Sequence, residues 1–235
     1  MITMKIAILG GTGDLGKGLA LRWAKFHDII IGSRDENRAK AFAEDYRKVA
    51  KKRYGDEMEG SIVGYDNFQA MKDSEVIVLS IPHEGLIDFI RSLRPFITSD
   101  KIIISPVVPL NKDEKCYKYV PFAINDPQSP SSIIQASAAE VISFEFGSKR
   151  IVSTFHTMPA KKLCNLNLDL DCDALMASDD VKAVKLVSDL ISQIPNLRPI
   201  YAGPLEVSRL LEALTPILMN LICYNNIKEP SIKIV

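Results

Sequence analysis

The sequence is short of cysteine, histidine, tryptophan and net charge. Its 235 residues hold four Cys, three His and one Trp, and 29 Lys+Arg cancel 29 Asp+Glu. Each shortage excludes something. Cys116, Cys164, Cys172 and Cys223 include no pair at C-x-x-C spacing, and four thiols in a chain this long form no disulfide framework. Three histidines are too few to suggest a Cys/His metal centre, so no metal is expected. Reduced thiols fit a cytoplasmic protein. A nucleic-acid or anionic-membrane binder normally carries a basic surplus, so neither partner is expected. The apolar runs reach about half of the ~20 residues a bilayer-crossing helix needs. The first ten residues offer one lysine and a short apolar run that stops at Gly10, which predicts no signal peptide. Hydrophobic residues at 47% and charged residues at 25% describe a chain that folds rather than a disordered one.

What is present is an alternation. Lys5–Leu9, Asp28–Ile31, Ser61–Tyr65, Glu75–Ile81 and Lys101–Ser105 read as strands, with helices over Asp14–Phe26, Asp35–Arg53 and Glu84–Leu93. Apolar strands separated by helices imply a parallel sheet covered on both faces. Val107–Pro130 contains prolines at 109, 121, 127 and 130 and reads as a long excursion. A helix is expected over Ser131–Phe144 with Ser131 as its cap, then a strand over Ile151–Phe155. Beyond Pro159 follow a helix (Asp179–Ile194), a short strand (Arg198–Tyr201) and a helix (Pro204–Tyr224). In the last, Val207, Leu210, Leu211, Leu214, Ile217, Leu218 and Leu221 repeat at helical spacing, and Pro216 should kink it. Asp169, Asp171 and Asp173 read as a solvated strand or loop, since no calcium-loop spacing follows them.

The most informative segment runs from Gly10 to Gly16. Gly11, Gly13 and Gly16 give G-x-G-x-x-G between a strand and a helix, with Thr12, Asp14 and Leu15 in the variable positions. In that context Gly11 makes the tight turn, Gly13 lets a pyrophosphate reach the backbone, and Gly16 lets helix and strand pack closely. The helix start offers free N–H groups and a positive dipole end to phosphates. This predicts an α/β protein with a Rossmann-type, doubly wound parallel sheet over residues 1–160. A smaller C-terminal α+β domain is expected over 161–235. At the second strand's tip stand Ser33, Arg34 and, one turn on, Arg38, where NAD sites usually carry an acid. A hydroxyl and two guanidinium groups suit the 2′-phosphate of NADP. Asp35 is assigned to the N-terminus of the following helix. At the end of the fourth strand, Ser80-Ile81-Pro82-His83 should run beside the cofactor.

Gly10–Ala20 followed by Gly32-Ser33-Arg34 resembles NADPH-dependent reductases of the deazaflavin coenzyme F420. Further segments agree in order along nearly the whole chain: Ser80-Ile81-Pro82, Ser105–Pro109, Phe155–Ala160, Ala202–Leu205, Ser208–Leu210 and Leu214–Pro216. The resemblance implies a homodimer and reversible hydride transfer between NADP and the deazaflavin as co-substrate. It maps NADP contacts onto Thr12, Gly13, Asp14, Leu15, Ser33, Arg34, Arg38, His83, Ile87 and Ala160, and places Pro230 in the same pocket. The chain departs from the family pattern at Asp14, at His83, and in two stretches that look inserted, 51–59 and 121–132.

No Ser/His/Asp order, metal cluster or carboxylate pair suggests a conventional catalytic residue. Hydride transfer between two coenzymes asks the protein mainly to orient two rings. His156 ends an apolar strand, where ligands meet open α/β sheets, and is the candidate for positioning or charge stabilisation near the second ring. Met158, Pro204 and Leu205 are expected to line the same pocket, and Lys161 and Lys162 to meet the deazaflavin's phosphate or acidic tail. Two alternatives remain open from sequence: an NADPH-dependent reductase of a flavin, ferric chelate or imino acid, and a non-enzymatic NADP-binding sensor.

Overall fold

The computed structural model describes residues 3–126 and 129–235. Its first half alternates strand and helix: β1 (Lys5–Leu9), α1 (Asp14–Trp23), β2 (Asp28–Ser33), α2 (Glu36–Tyr54), β3 (Ile62–Asp66), α3 (Asn67–Lys72), β4 (Val76–Leu79), α4 (Leu86–Leu93) and β5 (Ile102–Ser105). Two hairpins follow, β6 (Leu110–Lys112) with β7 (Tyr117–Tyr119) and β8 (Phe122–Asp126) with β9 (Ser129–Ala136). The remainder is α5 (Ala138–Phe146), β10 (Ile151–Ser153), α6 (Ala160–Cys164), β11 (Cys172–Ala177), α7 (Val181–Ser192), β12 (Leu197–Gly203) and α8 (Ser208–Asn225).

Eight strands form one sheet in the order β12-β11-β10-β5-β4-β1-β2-β3, and only the β10–β11 pair is antiparallel. The order reverses between β1 and β4, the switch point at which ligands bind open α/β sheets. Residues alternate across the sheet, as the two-residue strand period requires. Ile6 and Ile8 join one apolar cluster with Trp23, Leu163 and Val187, while Ala7 and Leu9 join a second with Leu86, Ile90 and Ile142. Both faces are therefore covered, with α1, α2, α6 and α7 on one and α3, α4 and α5 on the other. Each fully buried isoleucine or leucine contributes about 1.5–3 kcal/mol over exposure.

The sheet crosses the expected division at residue 160. β11 joins β10 through the level pair Ser153 and Ala177, so the C-terminal strands extend the dinucleotide-binding sheet. Three expectations are corrected. The 107–130 excursion is ordered into the two hairpins, apart from Pro127 and Gln128, which lie outside the described residues. The helix expected from Ser131 begins at Ala138, because Ser137 makes the capping box: its hydroxyl accepts from Glu140 N–H and the Glu140 carboxylate accepts from Ser137 N–H. The stretch before it, β9, pairs with β8 instead. Asp173 is not solvated. It is buried in β11, and Arg198 forks onto it at 2.8 and 2.9 Å. That pair holds the Asp173 carboxyl below its usual range against the opposing effect of burial. Asp173 also accepts from Ile234 N–H at 2.6 Å, and its own N–H donates to Ile232, so the C-terminal strap is fastened to β11.

Candidate active site

The glycine loop leaves β1 with Gly11 N–H bonded to Ile8 carbonyl at 3.1 Å. A Cβ on Gly16 would stand 2.7 Å from Gly11 Cα, so these two glycines set how tightly loop and helix pack. Gly13 differs. A Cβ there would meet nothing closer than Gly10 carbonyl at 3.9 Å, and it faces a cavity of about 800 Å³. Thr12, Asp14, Leu15 and Ile81 line that cavity with Gly13, and Ser33, Arg34 and Arg38 line its far end. Gly11 and Gly16 stand behind the wall, and His83 and Ile87 are not among the lining residues. In their place come Glu84, Gly85 and Phe89, while Ile87 packs on the sheet's second apolar cluster.

At the β2 tip the acid has the place expected of it. Asp35 is the N-cap of α2 and accepts from the N–H groups of Asn37 and Arg38, at 2.9 and 3.3 Å. Its carboxylate is thus committed to the helix, a cap worth about 1 kcal/mol. Ser33 Oγ accepts from Asp35 N–H at 3.3 Å, and the Arg38 guanidinium lies over the Phe42 ring at 5.6 Å, with Arg34 beside them at the cavity's end. The cavity therefore fits NADP by shape at Gly13 and by charge at its end.

A second cavity, of about 810 Å³, adjoins the first at Asp14, which lines both. His156, Met158, Ala160 and Lys162 line it, as does Pro230. Ala160, assigned from sequence to the dinucleotide, is on this side. Phe155 turns the chain off β10 in a left-handed conformation, φ +69°, rare for an aromatic residue. Its ring is held edge-on to Trp23 at 5.9 Å. This turn directs His156 into the cavity, and Thr215 Oγ1 donates to His156 carbonyl at 2.9 Å. Burial pushes the imidazole down to about 4, with a backbone hydrogen bond at Ser105 opposing. The ring is neutral near pH 7. Its Nε2 lies 3.4 Å from the Ser153 hydroxyl, within hydrogen-bond reach.

Pro204 and Leu205 are not brought to this cavity. Leu205 is buried in the second apolar cluster, and its N–H donates to Asp179 at 2.9 Å. The wall expected from them is made instead by α8 through Thr215, Leu218, Met219 and Ile222, and by 226–229. Of these α8 positions the helical repeat contains only Leu218, and the repeat does not say which of its members face a ligand.

Solved structures share this architecture. A protein from Arthrobacter sp. FB24 superposes with a TM-score of 0.76 at 21% identity, over 99% of each chain. A pyrroline-5-carboxylate reductase from Coxiella burnetii gives 0.57 at 14%, covering 94% of this chain and 68% of that one. The fold is that of Rossmann-type nicotinamide-dependent oxidoreductases. Sequence narrows it further. The family described as NADP oxidoreductase, coenzyme F420-dependent, matches residues 5–109. An F420-dependent NADP reductase from Methanocaldococcus jannaschii is 38% identical over 97% of this chain and 95% of its own. One from Methanothermobacter marburgensis is 33% identical over 98% of both. The chain belongs to the F420-dependent NADP reductase family.

Proposed function

We propose that this protein transfers a hydride reversibly between NADP(H) and coenzyme F420. The observation that carries the reading is the meeting of two cavities of similar size at Asp14. A dinucleotide lying from Ser33 across the glycine loop ends at the mouth of a pocket floored by His156 and Met158. With both coenzymes bound, the nicotinamide supplies hydride from C4 and the deazaflavin receives it at C5. The chain's own work is geometric. α1 presents its N-terminal N–H groups to the pyrophosphate. Arg34 and Arg38 hold the 2′-phosphate, and Ile81 packs beside the dinucleotide. Met158 and the α8 side chains exclude water from the second pocket, and neutral His156 positions the ring there. Residues 1–160 serve as the NADP-binding unit; 161–235 complete the deazaflavin pocket and the subunit contact.

An absorbance assay tests this. NADPH oxidation should require added deazaflavin, and FMN or FAD should not replace it. Turnover of FMN or a ferric chelate with none of the deazaflavin would transfer the reading to another acceptor, and tight NADPH binding with no acceptor at all would leave a sensor. His156→Ala should slow the wild-type reaction about 10–100-fold, a loss of roughly 1.4–2.7 kcal/mol. A loss of four decades with binding intact would mark His156 as a proton-transfer catalyst instead.

Cofactor preference gives a second test. Arg34→Ala should weaken NADPH by about 10–100-fold, the scale of one charge-assisted contact, and leave NADH nearly unchanged. Equal weakening of both would remove Arg34 as the selector.

The protein is further proposed to be a cytoplasmic homodimer. Leu210, Ile217, Leu221 and Tyr224 recur along one stripe of α8 and are exposed, while Thr215, Leu218 and Ile222 face the pocket. The 21 residues Leu205–Asn225 are long and apolar enough to cross a bilayer. Glu212 in this stretch is nonetheless buried, where it accepts from the N–H groups of Ala138 and Ala139, and Arg209 pairs with Glu140. Those polar anchors favour a second copy over lipid as the stripe's cover. Sedimentation at micromolar concentration should give twice the 26.1 kDa chain mass; a monomer there rejects the pairing.

A further inference from the structure

Beside the second coenzyme pocket lies a basic groove that hydride transfer does not use. It has a volume of about 500 Å³ and runs between the last turns of α2 and the chain from α6 onward. Lys52 and Arg53 line it from α2, Lys161 from α6, and Asn165 and Asn167 from the following loop. Among the described residues, its lining contains no aspartate or glutamate. The contrast with the rest of the surface is plain, because the whole chain is electrically balanced. Nearby on α2, Arg47 and Lys48 are neutralised by Glu44, whereas among the described residues no ion pair takes up Lys52, Arg53 or Lys161. Arg53 is also aimed: its guanidinium stacks over Tyr54 at 5.8 Å and its Nε donates to Leu166 carbonyl at 3.4 Å. Lys161 lines both this groove and the pocket that holds His156, so the two are neighbours.

Resting on the assignment of the second pocket to the deazaflavin, we propose that this groove is the subsite for the coenzyme's anionic side chain. Phosphodiester and glutamyl carboxylate groups match it in three ways. They are negative where the groove is positive. Guanidinium and carboxamide groups offer the directional donors that such oxygens accept. The groove also shares a cationic residue with the ring pocket, so a chain leaving the ring past Lys161 has Lys52 and Arg53 next on its course. The subsite sets which form of the deazaflavin binds and leaves the ring chemistry untouched.

The test is direct binding, read by quenching of deazaflavin fluorescence. Two probes are titrated: F420 with its glutamyl side chain, and 8-hydroxy-5-deazaflavin without the phosphate and glutamates. The wild type should bind the tailed form at least about 10-fold more tightly, as expected from several cooperating charges. Raising salt from about 50 to 500 mM should erode that advantage and leave the tail-less affinity level. The double variant K52E/R53E should lose the advantage while binding the tail-less form and NADP as the wild type does. The NADP titration and the circular dichroism spectrum verify that the variant is folded. Equal affinity of the wild type for both probes, or an unchanged advantage in K52E/R53E, overturns the subsite and leaves the reductase reading standing. Failure of both probes to bind overturns the two together.

Discussion

Gly13→Val should abolish NADPH binding and leave the fold intact. Gly13 sits at φ −88°, ψ 169°, an extended conformation that β-branched residues favour, so its backbone imposes no need for glycine. Within the fold, a side chain there has room, with Gly10 carbonyl the nearest atom at 3.9 Å. That room is the cavity itself, in front of the N–H groups that open α1. Two methyl groups would occupy the space where a pyrophosphate has to approach. The expected loss exceeds about 10³-fold, or roughly 4 kcal/mol, because steric exclusion and lost N–H contacts act together. Gly16→Ala is the matching control. Its Cβ would press on Gly11 Cα at 2.7 Å, so it should lower the melting temperature first and binding only as a consequence. Thermal denaturation and NADPH titration on the two variants separate the effects. A normal titration by Gly13→Val would mean that the dinucleotide does not lie across this loop.

The pattern of what was legible follows from range. β1, the glycine loop and the Asp35 cap are local, and strand period, turn chemistry and capping rules locate them within a residue or two. The same holds for the acid-free β2 tip. The second pocket is different, because its walls come from segments far apart in the chain: 156–162, then 215–222, then 226–230. A helical repeat on α8 announces burial or pairing but does not divide Leu218, which faces the pocket, from Leu221, which faces outward. Pro204 and Leu205 drew attention as a motif, yet Leu205 serves the core behind the sheet. The helix start misplaced at Ser131 has a simple cause. Ser131 and Ser137 are both acceptable caps, and only Ser137 has a glutamate three residues on. The burial of Asp173 has no local signal, because its partner, Arg198, sits on the neighbouring strand.

Arg22 left no local signal at all, and its replacement should have the largest structural effect. It lies in the last turn of α1 between Leu21 and Trp23, and only 4% of it is exposed. Among the described residues, no carboxylate forms an ion pair with it. Its Nε donates to Leu163 carbonyl at 2.8 Å, and Nη2 donates to the carbonyls of Leu168, Asn165 and Lys162 at 2.9, 3.0 and 3.3 Å. Burial lowers its affinity for the proton, with Tyr54, Asp169 and Cys164 opposing. Those carbonyls end α6 and shape the loop after it, so one guanidinium fixes the segment that carries Ala160, Lys161 and Lys162 into the second pocket. Arg22→Met keeps an unbranched stem in the core and removes every donor. Several carbonyls would then lack partners in a partly buried site, at a cost of about 3 kcal/mol, or on the order of 10 °C in melting temperature. The dinucleotide cavity contains no part of that segment, so NADPH affinity should stay within about twofold, while the Michaelis constant for the deazaflavin rises about 10-fold. Calorimetry and steady-state kinetics with each coenzyme varied in turn would show the split. Parallel losses for NADPH and the deazaflavin would mean that Arg22 supports the whole sheet and not the second pocket, and an unchanged melting temperature would show that the carbonyls find other donors.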